Sequence, residues 1–168
     1  MGIFKISVAD LHWLEGSDER EDLCLHGHAV AIIGNETLEY DCAVSATALY
    51  LLKTLTENHE IDKDNQILPC CGFSIIADES LSNATIIGCP NGIDWSVFHE
   101  EDNIKIILRN GHEEIIPLNE YKKEVFEFAD IIENFYQTSL PKILPKNEYD
   151  RNGYLTFWKE WHRRRKEF

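Results

Sequence analysis

The sequence predicts an α+β fold: a mainly antiparallel sheet of about six to eight strands, two amphipathic helices mainly on one face, and a C-terminal aromatic-faced helix. Three observations predict it. Short β-prone runs are separated by Gly-, Asn- and Pro-bearing turns. Two stretches place apolar residues at i, i+3, i+4 and i+7. The last stretch repeats that spacing with Tyr154, Phe157, Trp158 and Trp161.

Taken in order, residues 3–8 read as a first strand, and the acidic stretch Glu15–Asp22 as a loop. Leu23–Ile33 and Thr37–Val44 form a hairpin about Gly34-Asn35. Ser45 has the hydroxyl of an N-cap. Behind it, Ala48, Leu51, Leu52 and Leu55 mark one face of a helix reaching about Asn58. Four further strand segments follow, over 73–77, 84–88, 93–98 and 104–108. A fifth, Glu113–Ile116, returns across Arg109-Asn110-Gly111-His112, where Asn-Gly suits a type I′ turn. Asn119–Gln137 carries a wide apolar stripe (Tyr121, Val125, Phe128, Ala129, Ile132) opposite Glu, Lys and Asp. Pro141 and Pro145 make an extended connector. A helix over 153–166 closes the chain, docked as part of one domain, with Arg163–Lys166 expected to project beyond it.

The chain has 168 residues, a length that suits one domain. Hydrophobic residues make up 43%, enough to argue against global disorder despite the charge. Sixteen basic against thirty acidic side chains give a net −14, which opposes phosphate-backbone binding and favours basic partners. The last ten residues hold five basic and two acidic side chains, so the rest is more acidic still. There is no apolar run of membrane-spanning length, and residues 2–7 do not read as a secretory leader. Five cysteines without a leader imply reduced thiols and a cytoplasmic protein.

Two clusters carry possible chemistry. Cys24, His26 and His28 share one strand face, and soft thiolate and imidazole at that spacing could ligate zinc. Cys42 joins them only if the hairpin loop has three residues; a two-residue loop turns it away. Cys70 and Cys71 are too close to bridge each other, and form a thiol pair needing a base for catalysis. Asp94 and His99 are a further acid–base possibility, weakened by an odd spacing that puts them on opposite strand faces.

The expected function is therefore a small acidic intracellular binding protein. It would be an inhibitor or immunity-type protein engaging a basic protein partner, without nucleic acid, membrane or cofactor. Its contact residues would be Asp18, Glu19, Glu21, Asp22, Trp95, Glu100, Glu101 and Asp102. The alternative is a metal-dependent or cysteine-based enzyme built on Cys24/His26/His28 or Cys70/Cys71.

Overall fold

Gly34, with φ 61°, turns the first hairpin in a conformation that side chains with a Cβ rarely adopt. The computed structural model describes residues 2–72 and 74–167. In it β1 (Phe4–His12), β2 (His26–Ile33) and β3 (Glu36–Cys42) form an antiparallel sheet in that order. Ile33 pairs with Glu36, so the loop has two residues, and Gly27 stands opposite Cys42. Strand β1 runs further than expected, past Val8 to His12, with a register shift between Ala9 and His12.

The remaining strands divide between two more antiparallel sheets. One pairs β4 (Ser74–Ala77) with β5 (Ala84–Ile87). The strand start expected at Phe73 lies outside the described residues. The other orders β6 (Ser96–Glu100), β7 (Asn103–Ile107) and β8 (Glu113–Pro117). Its second turn differs from the expected type I′. Gly111 is left-handed at φ 87° while Asn110 is not, and Leu108 N–H bonds His112 O across the loop. That is a longer turn closed by a glycine.

Helix α1 (Val44–Lys53) departs from the amphipathic reading: every residue from Val44 to Leu52 is buried. It is packed by β2, by α2 (Leu118–Thr138) and by α3 (Glu148–Lys166), so no face is left for solvent. Its polar Ser45 and Thr47 are buried too, each with a partner: the Leu25 N–H for Ser45 and the Cys42 sulfur for Thr47. It also stops five residues short of Asn58. Ser45 is not its cap; Ala43 holds that position, and the Ser45 hydroxyl accepts the Leu25 N–H at 3.1 Å. The hydroxyl thus fixes the approach to β2.

Helix α2 buries Tyr121, Val125, Phe128, Ala129 and Ile132, the expected stripe. The Tyr121 hydroxyl meets Thr54 Oγ1 at 2.8 Å, tying α2 to the end of α1. Helix α3 begins earlier than residue 153, because the Asn147 side chain caps it by accepting the Asp150 N–H. Tyr154, Phe157 and Trp161 are buried, and Trp158 packs edge-on against Tyr136 of α2. Gly153 lets the helix press on β4: a Cβ there would lie 1.9 Å from Ile75 O. Arg164 does not project as expected. It is buried against Glu160, Thr56 and Glu57.

Candidate functional site

The two-residue loop decides the first cluster. Cys42 faces inward with Gly27, on the side opposite His28. Cys24 lies before β2 and is buried, its sulfur within 3.7 Å of the Ser45 hydroxyl. Burial pushes the Cys24 thiol up to about 12 and the Cys42 thiol up to about 11, so both are held as neutral thiols. His28 is taken by Asp41, whose carboxylate lies 2.7 Å from Nδ1 and raises the imidazole's pKa. The His26 ring lies tilted beside that of His12, centroids 5.9 Å apart, and partial burial lowers its pKa. Cys24, His26, His28 and Cys42 therefore do not converge, which corrects the expected zinc set.

The cysteines are also not all reduced. Cys70 and Cys89 are joined by a disulfide, because the β4–β5 hairpin folds residue 89 back beside residue 70. The free Cys71 sulfur lies 3.5 Å from that of Cys89. No spacing signal marks this group in the sequence, since Cys89 lies across a whole hairpin.

The acidic segments are separated by the fold. The 15–22 loop sits at the C-terminal end of α2, where Trp13 Nε1 reaches Ser139 Oγ and Lys142 Nζ donates to Glu19 O. The β6–β7 hairpin sits at the other end, with Leu118 N–H bonded to Asp102 O. Twenty-one helical residues span about 30 Å between them. Within the first loop, Asp18 is gripped by Arg20, which holds its carboxyl down to about 2. Asp22 accepts the N–H groups of Leu14 and Cys24. These two carboxylates shape the loop; Glu19 and Glu21 have side chains left over.

The hairpin tip is different in kind. Glu100, Glu101 and Asp102 are consecutive and exposed, and none forms an ion pair or side-chain hydrogen bond among the described residues. Glu101 holds φ 54° in a two-residue turn. The base of the hairpin is fixed where His99 N–H donates to Asn58 Oδ1 and His99 Nε2 meets Thr54 O. Several of the chain's cations pair elsewhere: Arg20, Lys63, Lys105, Arg109 and Arg165 each meet another carboxylate of their own chain, though Lys105 also acts on Glu100. The negative excess thus falls on tips such as this one. Glu120 is exposed in the first turn of α2, which follows β8, and shares its surroundings with Lys5 and Lys123.

Trp95 cannot be a contact residue in this arrangement. It is fully buried, behind the chain entering β6. Its neighbour Asp94 pairs with His59 rather than His99: Nε2 and Oδ1 lie 2.7 Å apart, and Ile67 N–H donates to the same oxygen. This buried pair latches the 57–67 loop onto β6, helped by a bridge between His59 and Val97. His59 escapes a sequence reading because it lies inside a polar run that reads only as the end of a helix. A cleft of about 200 Å³ opens beside it, lined also by Tyr50, Lys53, Glu57 and Asp64. Among the described residues, no histidine ring hydrogen-bonds a serine or cysteine; the ring nitrogens of His12, His28, His59, His99, His112 and His162 meet carboxylates or backbone carbonyls.

No protein-family model, curated protein or solved structure matches this chain. No helix among the described residues is long and apolar enough to cross a membrane.

Proposed function

We propose that this chain is an acidic binding protein, of inhibitor or immunity type, that engages a basic protein partner through the end bearing the β6–β7 hairpin. The observation that carries this reading is the tip itself: three adjacent exposed carboxylates, none in an ion pair among the described residues, on a turn anchored at both ends. A fixed cluster of like charge focuses the field and steers an oppositely charged surface into contact. The same field repels nucleic acid, which needs a positive footprint. A cytoplasmic setting belongs with this reading.

Glu100, Glu101, Asp102 and Glu120 form the principal contact, and Glu19 and Glu21 lie about 30 Å away. An interface of standard size, roughly 800 Å² per partner, centres on one end and does not need the other. The test is affinity purification with the tagged full chain and with the triple variant Glu100→Lys, Glu101→Lys, Asp102→Lys. A basic protein retained in stoichiometric amount by the wild type and lost from the variant is the expected result. Equal retention by both chains, or no stoichiometric partner, overturns the proposal.

A further inference from the structure

We infer that Cys70, Cys71 and Cys89 form, once the disulfide is reduced, a three-thiolate site for a soft divalent cation, zinc or its spectroscopic substitute cadmium. The three sulfurs lie within 4.8 Å of one another, and all three residues are half-exposed rather than sealed in the core. Tetrahedral Zn–S bonds of about 2.3 Å set sulfurs about 3.8 Å apart, and Cys71 and Cys89 stand at 3.5 Å. The chemistry of the donor set is that of soft metals: thiolate selects zinc, copper(I) and their relatives over calcium or magnesium.

The backbone around the sulfurs is built for close approach. Residues 68–72 and 88–93 run side by side, joined by a bridge between Leu68 and Ile93. A Cβ on Gly88 would fall 2.3 Å from Cys71 O, and one on Gly92 would fall 2.4 Å from Leu68 O. Glycine at both positions lets the loops touch. The Cys89 N–H donates to Cys71 Sγ at 3.1 Å, the kind of amide-to-sulfur bond that supports a metal-bound thiolate. The group contains no fourth His, Cys, Asp or Glu among the described residues, so the remaining position is open to water or to a partner's side chain.

The disulfide and the cation exclude each other. A dithiol reductant supplies two electrons and two protons, giving the Cys70 and Cys89 thiols while the dithiol closes to its own disulfide. The cation then displaces the three thiol protons and forms three metal–sulfur bonds. Oxidation removes two of the ligands, so metal occupancy reports the redox state of the surroundings.

The test uses the full chain, reduced with a dithiol that is then removed anaerobically, and titrated with cadmium. One equivalent should bind, with a thiolate-to-cadmium charge-transfer band in the ultraviolet. The unreduced chain should bind none. Losing an outer partner of a ligand already costs roughly 10–100-fold in affinity, so Cys71→Ser should weaken binding by at least that. Because Cys71→Ser keeps the Cys70–Cys89 pair, its fold can be checked in the oxidised form. Alkylation mapping of the wild type gives a second reading: cadmium should protect Cys70, Cys71 and Cys89 and leave Cys24 and Cys42 unchanged. No stoichiometric uptake by the dithiol-treated chain, full-strength binding by Cys71→Ser, or protection centred on Cys24 and Cys42 would overturn the inference.

Discussion

Arg164 Nε donates to Glu160 Oε1 at 2.8 Å inside the protein, with Glu160 fully buried and Arg164 at 4% exposure. The pair does not stand alone. Glu160 Oε2 accepts the Ala84 N–H at 2.6 Å, Lys53 Nζ lies 3.2 Å from Oε1, and Arg164 reaches Thr56 and Glu57. One turn of α3 thereby holds α1, the loop after it and β5.

Removing one partner of a buried ion pair leaves a charge without compensation, at about 3–5 kcal/mol. Arg164→Ser should cost that much in chemical denaturation. Arg163 is half-exposed, donates to Ser82 O at 2.9 Å and Asn83 Oδ1 at 2.7 Å, and lies 3.7–3.9 Å from Glu160 and Glu167; no charge is left buried without it, so Arg163→Ser should cost less, about 1–2 kcal/mol. Equal effects of the two substitutions would show that α3 is not anchored by this network.

Gly153→Ala tests the same docking by shape rather than charge. The added methyl meets the backbone oxygen of Ile75 at 1.9 Å, so the helix must lift from β4. Overpacking of this kind costs about 1–3 kcal/mol or more, against the usual helical gain of alanine over glycine. A stabilised Gly153→Ala would contradict the close contact of α3 with β4.

Glu101 occupies a left-handed conformation at φ 54°, where glycine carries no Cβ penalty. That penalty is about 1–2 kcal/mol, offset by about 0.5–1 kcal/mol of glycine's extra chain entropy. Glu101→Gly should therefore leave stability unchanged or raise it by up to about 1.5 kcal/mol. Thermal melting checks this. A residue kept against its backbone preference, and dispensable for stability, fits a role in contact.

Acid should weaken the fold through Asp18 and Asp78. The Arg20 hydrogen bonds hold the Asp18 carboxyl at about 2, against an ordinary 3.8. Asp78 is held well below its usual range by the Ser82 N–H first and the Asn83 side chain next. Both are depressed in the native state, so their stabilisation is present above about pH 4. It is lost as pH falls toward 2, where the unfolded chain binds the extra protons. Melting temperature followed over that range should drop less steeply for Asp78→Asn than for the wild type. An unchanged slope would remove Asp78 as a source.

Much of the fold was legible because its signals are local. The α2 stripe from Tyr121 to Ile132 is a 3.6-residue period with polar residues opposite, and it packs as that period dictates. Gly34-Asn35 marked the hairpin turn for the same reason, while the choice between a two- and a three-residue loop came from the pairing of Ile33 with Glu36. What escaped depends on contacts distant in sequence. Ser45 has the chemistry of a cap, yet its hydroxyl is claimed by Leu25, twenty positions earlier. The complete burial of α1 reflects three layers around it, which no window of its own residues encodes. The exposure of Glu100–Asp102 could be read from their charge alone. The burial of Trp95, the His59–Asp94 latch, the Cys70–Cys89 bond and the roughly 30 Å between the two acidic segments could not.

The most direct measurement of the central claim is the association rate of the purified partner with wild type and with Glu100→Lys, Glu101→Lys, Asp102→Lys, followed by stopped flow across ionic strength. Steering by the hairpin tip predicts a wild-type rate that falls steeply between low and physiological salt. The triple variant should be slower at low salt and nearly flat, because screening has less attraction to remove. A wild-type rate indifferent to salt, or a variant that follows the wild-type curve, would contradict the account.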